Sequence, residues 1–272
     1  MRPLMRPALL AAALIALGLP VQADGLKRLD TGADSKGWEA VGRLNLDGKG
    51  FCTGALISPN LVLTAAHCLW DRKTGERVNA GKIEFLAGWR NGRAAAYRDI
   101  RRAVPHPDYV FSSDESIDRV QYDLALLELA TPIRLPSIKP YETARLPQKG
   151  DEVGVVSYAR DRAEAPSLQE VCHVLGHQTG VMVLTCDVDF GSSGAPVFSM
   201  AGGVPRIVSV VAAKAEMTGQ KVALASDMEG VLQVLRNALE TTPAMRLNGT
   251  ALPQIGGGTR PRDGAKFVKP GP

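Results

Sequence analysis

Beyond its first two dozen residues, this 272-residue chain has no segment long and apolar enough to cross a bilayer, a task that takes about 20 apolar residues in a helix. No membrane partner is therefore expected for the remainder. A surplus of basic charge is also missing where it would matter. The formal net charge is +4, yet residues 24–240 hold 25 basic and 27 acidic side chains. That balance argues against a nucleic-acid surface. No internal repeat is visible, and no acidic run has the spacing of an EF-hand loop. The acids around Asp114, Glu115 and Asp118 read as a solvated loop. Histidines number only four, as do cysteines, so each of them needs a reason.

The opening string MRPLMRPALLAAALIALGLPVQAD is built like a secretory signal. Arg2 and Arg6 form a basic start, Ala8 to Leu19 is an uncharged run of 12 residues, and Val21-Gln22-Ala23 offers small residues for cleavage. The expectation is a signal peptide over 1–23 and a secreted or periplasmic product of 249 residues. Cys52, Cys68, Cys172 and Cys186 all lie in that product. An even count in an exported chain suggests two disulfides, and three pairings are open at this point.

Short apolar or alternating runs dominate, among them AVGRLNL, FCTGALI, LVLTA, KIEFLAG, AYRDIRRAV, LALLEL, EVGVVSYA, VMVLTC, RIVSVVAA and KVALAS. Gly, Pro, Asn or Asp often separates them. This is an all-β pattern. A proline-rich connector over 132–149 divides it into two strand-rich halves, 24–140 and 141–240. One helix is expected near the end, in MEGVLQVLRNALE, with Val231, Leu232, Val234, Leu235 and Leu239 as its apolar face. From 241 to 272 the chain is rich in Pro and Gly and basic, and reads as a disordered tail.

Three strings carry candidate chemistry. In DFGSSGAPVF, Gly191 and Gly194 bracket Ser192 and Ser193. Glycines on both sides allow a sharp turn that exposes a hydroxyl and aims N–H groups into one small space. A plain Gly/Ser turn would look the same. In QYDLALLEL, Asp123 stands at the mouth of an apolar strand, where a carboxylate needs donors. An imidazole N–H would serve, and so would a turn. In LVLTAAHCLW, His67 ends an apolar run; metal ligand, core residue and catalytic base are all open readings.

Taken together, TAAHC, DLALLEL and GSSGAP, in the order His, Asp, Ser, resemble the trypsin/chymotrypsin-like serine endopeptidases from about Ala40 to Glu240. The resemblance implies two six-stranded antiparallel β-barrels packed face to face, with the active site in the cleft between them, alongside the C-terminal helix read above. It implies that His67 takes a proton from Ser193, that Asp123 orients His67, and that Ser193 attacks a peptide carbonyl to form an acyl-enzyme. The N–H groups of Gly191 and Ser193 would form the oxyanion hole. It further implies a Cys52–Cys68 disulfide, and with it Cys172–Cys186. A monomer acting on peptide or protein substrates, without cofactor or metal, is what such a family member would be.

The string departs from the digestive members, whose serine loop is Gly-Asp-Ser-Gly-Gly-Pro. Ser192 replaces the aspartate that receives a newly cut N-terminus, so that activation switch is not expected. The chain is closer to bacterial members, including the glutamyl-endopeptidase-like group. By position, Asp187 is the candidate for the pocket floor, with Asp189 as the alternative. An acid there would favour Arg or Lys substrates. Ala212, Ala213 and Lys214 match the family's substrate-pairing strand, where Ala212 lacks a hydroxyl that usually supports the triad aspartate. Lys214 has three readings: it narrows the pocket, neutralises Asp187, or attracts acidic side chains. His106 reads as structural, while His173 and His177 follow Cys172 at a spacing open to zinc or to a substrate role, with the disulfide favoured for Cys172. A non-catalytic binding protein on the same fold is the alternative function. An α/β-hydrolase esterase fails on residue order and on Ala195.

Overall fold

The computed structural model describes residues 25–112, 117–228 and 230–243. The expected signal segment, the acids at 114 and 115 and nearly all of the expected tail lie outside the described residues.

Among the described residues, thirteen strands carry the fold. The first barrel uses β2 (Val41–Leu46), β3 (Phe51–Ser58), β4 (Leu61–Thr64), β5 (Ile83–Ala87), β6 (Ala96–Pro105) and β7 (Ala125–Leu129). Their hydrogen-bonded order β2-β3-β4-β7-β6-β5 closes on itself. The second uses β8 (Glu152–Ser157), β9 (Ser167–Gln178), β10 (Val181–Leu184), β11 (Pro196–Ser199), β12 (Arg206–Met217) and β13 (Gln220–Asp227). There the order β9-β10-β13-β12-β11-β8 closes through β8–β9. A two-residue strand, β1 (Lys27–Arg28), pairs with the start of β9. All pairings between these named strands are antiparallel. The described residues include two α-helices, α1 (Ile117–Gln121) just ahead of β7 and α2 (Val231–Thr241) after β13.

Alternation places the core. In β6, Ala96, Ile100 and Ala103 are buried while Tyr97, Asp99 and Arg101 face solvent, with a register shift between Ile100 and Arg102. In β7 all five residues are buried. Each buried Val or Leu contributes roughly 1.5–3 kcal/mol by leaving water. One apolar cluster runs from the first barrel into the second through Val156, Tyr158, Leu168, Phe198, Ile207 and Val210. Phe198 meets Trp38 and Tyr141 edge-on, at 5.1 and 4.7 Å between ring centroids. The Tyr158 hydroxyl crosses the seam to donate to the Trp89 carbonyl at 2.8 Å, and burial pushes its pKa upward.

The C-terminal helix differs from its expected face. Leu235 and Leu239 are buried, Val231 and Leu232 pack partly against the core, and Val234 is 40% exposed. Leu239 meets Leu61 and Val104 of the first barrel. Val234 sits about 100° round the helix from Leu235, and points away. Thus a helix that follows the second barrel in sequence docks on the first. Arg102 fixes it there. Its guanidinium donates to the carbonyls of Leu239 (2.7 Å) and Thr242 (3.1 Å), and pairs with the largely buried Glu128 at 2.5 Å. It thereby satisfies carbonyls that a helix end leaves open. Arg102→Met is expected to cost about 3 kcal/mol, because Glu128 keeps its charge without this partner. Urea unfolding and amide exchange check this: α2 should exchange faster, and an unchanged midpoint would contradict it.

Candidate active site

His67 lies in a short 3-10 turn, Ala66–Leu69, entered directly from β4. β4 pairs with β7 in the register Thr64↔Ala125, so the ends of the two strands bring His67 beside Asp123. Among the described residues, the Asp123 carboxylate receives both of its hydrogen bonds from that one residue. Oδ1 accepts the His67 backbone N–H at 2.8 Å, and Oδ2 lies 2.6 Å from Nδ1. His67 is 4% exposed and Asp123 1%. A charge this deep persists only when such donors compensate its lost hydration. The other ring nitrogen, Nε2, is buried with no hydrogen-bond partner among the described residues.

The Ser193 loop reaches the same place from the second barrel. The Ser193 carbonyl accepts the N–H of Thr53 on β3 at 2.8 Å, and the Gly194 N–H donates to Val211 on β12 at 2.8 Å. Gly194 sits at φ +79°, and a side chain there would run into Thr64 and Thr53. The loop is thus pressed onto the two strands that lead to His67. Ser193 is half-buried. The N–H groups of Gly191 and Ser193 have no acceptor among the described residues.

Other bonds hold this loop in place of the aspartate that Ser192 replaces. Ser192 is fully buried, and its hydroxyl lies 3.2 Å from the Ser157 hydroxyl and 3.3 Å from the Tyr158 carbonyl. Thr53 does more: its hydroxyl donates to the Gly191 carbonyl at 2.8 Å and accepts the Tyr158 N–H at 3.1 Å. Nothing in FCTGALI marks that threonine, since its partners lie more than 100 positions away.

The proposed specificity residues separate. Asp187 is exposed, with its N–H held by the Gln169 side chain at 2.7 Å. Asp189, instead, meets Lys214, at 2.6 Å. The Lys214 ammonium, with help from the Phe190 N–H, holds the Asp189 carboxyl below its ordinary range. Ala212 falls at a register shift between β12 and β13 and packs with Val120 and Val181, and Ala213 is half-buried beside it. Among the described residues no hydroxyl donates to the Asp123 carboxylate. Buried Ser226 instead donates to the backbone carbonyl of Val120 at 2.6 Å and lies 3.4 Å from that of Asp123, bracing the turn before Asp123.

His106 stacks on Tyr122 at 4.9 Å between centroids, and its Nδ1 accepts the Asp108 N–H at 3.2 Å. Burial pushes its pKa down. The disulfides are Cys52–Cys68 and Cys172–Cys186. Cys52, His67 and Cys68 cluster within 4.8 Å, but the two sulfurs are bonded to each other and have no thiolate to give a metal. His177 Nε2 pairs with the Pro147 carbonyl at 2.9 Å. Among the described residues, no helix is long and apolar enough to cross a membrane.

The trypsin family model matches residues 31–228. A trypsin of Phaedon cochleariae is 35% identical over 107 residues, 38% of this chain and 36% of the relative. A glutamyl endopeptidase of Bacillus licheniformis is 28% identical over 150 residues, 55% of this chain and 45% of the relative. The chain therefore spans less than half the length of either. A solved structure of Glu endopeptidase in complex with MPD shares the fold, with a TM-score of 0.64 and 18% identity over 82% of this chain and 100% of the other. By the extent of the family match, this chain belongs to the trypsin family.

Proposed function

We propose that the protein is an exported serine endopeptidase that cuts peptide or protein substrates through Ser193, His67 and Asp123. The observation that carries this reading is the buried Asp123–His67 pair, with its second ring nitrogen left unpartnered. In the proposed reaction, His67 Nε2 accepts the Ser193 hydroxyl proton as the oxygen bonds to the peptide carbonyl carbon. The carbonyl oxygen becomes an oxyanion facing the free N–H groups of Gly191 and Ser193. His67 then passes its proton to the departing amine, leaving an acyl-serine. Water, activated by the same imidazole, hydrolyses that ester and restores the hydroxyl. Two disulfides support an oxidising compartment.

A fluorophosphonate probe tests the reading. It should label the folded chain and fail to label Ser193→Ala and His67→Ala. Persistent labelling of Ser193→Ala would remove Ser193 as nucleophile, and no labelling of the unaltered chain would favour a non-catalytic binding protein.

In the same mechanism Thr53 is a positioning residue, acting through the Gly191 carbonyl. Thr53→Val is expected to lower kcat about tenfold with little change in KM, well short of the 10²–10³ that losing a direct oxyanion donor costs. Thr53→Ser should restore it, because the hydroxyl returns. A KM effect, or no rescue by serine, would assign Thr53 to the fold alone.

A further inference from the structure

Phe190, three positions before the candidate nucleophile, is 44% exposed and gathers cations from three separate elements. The guanidinium of Arg160 lies 4.8 Å from its ring centroid, that of Arg72 5.9 Å, and the Lys214 ammonium 4.3 Å. Positive groups seek a ring face, but three of them on one ring repel each other. Asp189 compensates Lys214. The acids next to the arginines in sequence are engaged elsewhere, Asp71 by Lys49 at 2.8 Å and Asp161 by Arg162 at 3.2 Å. Arg72 and Arg160 have no ion-pair partner of their own among the described residues. The placement is anchored, since the Arg160 N–H donates to the Phe190 carbonyl at 2.7 Å. This surplus stands out in a stretch, residues 24–240, that is net negative.

We propose that Arg72, Arg160 and the face of Phe190 form a subsite for an acidic side chain of the substrate, on the leaving-group side of the scissile bond. The proposal rests on the endopeptidase reading for its side assignment. His67 delivers the proton to the departing amine, so the leaving segment lies toward the histidine loop, and Arg72 is five residues on in that loop. Lys214 stands on β12, the strand matched to the family's substrate-pairing strand, and is already paired with Asp189. An incoming carboxylate meets two unpaired guanidiniums beside an apolar platform, a geometry suited to charge-assisted contacts. Acidic peptides and proteins are the substrate class that follows.

The test uses Ser193→Ala, which binds without turnover, and fluorescein-labelled octapeptide pools of uncharged residues with two central positions fixed as Glu-Glu, Gln-Gln or Lys-Lys. Anisotropy should show the Glu-Glu pool binding about fivefold tighter than Gln-Gln, on the scale of one or two exposed ion pairs. The preference should vanish when Arg72→Gln and Arg160→Gln are added, and should weaken with salt. Equal affinity for the two pools, or a preference that survives both arginine changes, overturns the subsite. Cutting of the pools by the unaltered chain reports separately on the enzyme. Absence of cutting alongside a clear Glu-Glu preference sinks the endopeptidase reading and keeps the acidic site. Cutting without the preference does the reverse. Cuts that leave the Glu pair on the acyl side overturn the side assignment.

Discussion

Asp123→Asn is expected to lower kcat about 10⁴-fold while the chain stays folded. The reason lies in which atoms donate to the carboxylate. Oδ1 takes the His67 backbone N–H at 2.8 Å and Oδ2 faces Nδ1 at 2.6 Å. A carboxylate accepts at both positions, but an asparagine amide has one oxygen and one NH2 group. With its oxygen on the backbone N–H, its NH2 faces Nδ1 and drives the ring proton to Nε2. That nitrogen then has no lone pair for the serine proton. With the amide turned over, two donors face each other at the backbone, buried and unsatisfied. That clash disfavours the second arrangement, so the first prevails and the ring loses its role as base. The two side chains have nearly the same shape, so the thermal midpoint should move by only about 3 °C. Steady-state kinetics on a peptide, paired with calorimetry, check this. A loss below tenfold in a folded protein would mean that His67 does not depend on Asp123 for its tautomer.

The parts of the site that were legible in the sequence are those carried by one continuous string. TAAHC, DLALLEL and GSSGAP each put a reactive residue type at the end of an apolar run or inside a glycine turn, and that local chemistry is readable without neighbours. Strands with clean alternation or long apolar runs, such as β2, β3, β7 and β12, were legible for the same reason. β9 was not. Its twelve residues include His173, Gly176 and His177 and their burial is irregular, because the strand serves β8, β1 and β10 in turn. β11 is only four residues long and begins at Pro196; too short for a period, it reads only as a strand-like run after the glycine turn. Contacts that join distant strings were also hidden. The Thr53–Gly191 bond spans 138 positions, and the cations around Phe190 come from three elements. Position alone gave Asp187 to the pocket and left Asp189 as second choice; the Lys214 partner is visible only once β12 lies beside the serine loop.

Gly194→Ala is expected to reduce turnover about 10³-fold and to destabilise the protein by about 3 kcal/mol. Two costs combine at this residue. Its φ of +79° is one that a side chain strains. A methyl there would also overlap the Thr53 carbonyl and the Thr64 hydroxyl, and sit 3.0 Å from the Ala65 nitrogen. None of these neighbours can retreat cheaply. Thr53 and Thr64 are fully buried, and the Thr64 hydroxyl donates to that same Thr53 carbonyl at 2.8 Å. The serine loop has to lift instead. Lifting breaks the Thr53 N–H bond to the Ser193 carbonyl and the Gly194 N–H bond to Val211, and carries the Ser193 hydroxyl away from the strands that present His67. A displacement near 1 Å costs about 10²-fold by misalignment alone, and moving the Gly191 and Ser193 N–H groups with it adds the loss of oxyanion stabilisation. The measurement is twofold: the rate of fluorophosphonate labelling, and urea unfolding of the same sample. A variant that unfolds at a lower urea concentration yet labels at the original rate would show that the seating of this loop on β3 and β4 has no part in the chemistry.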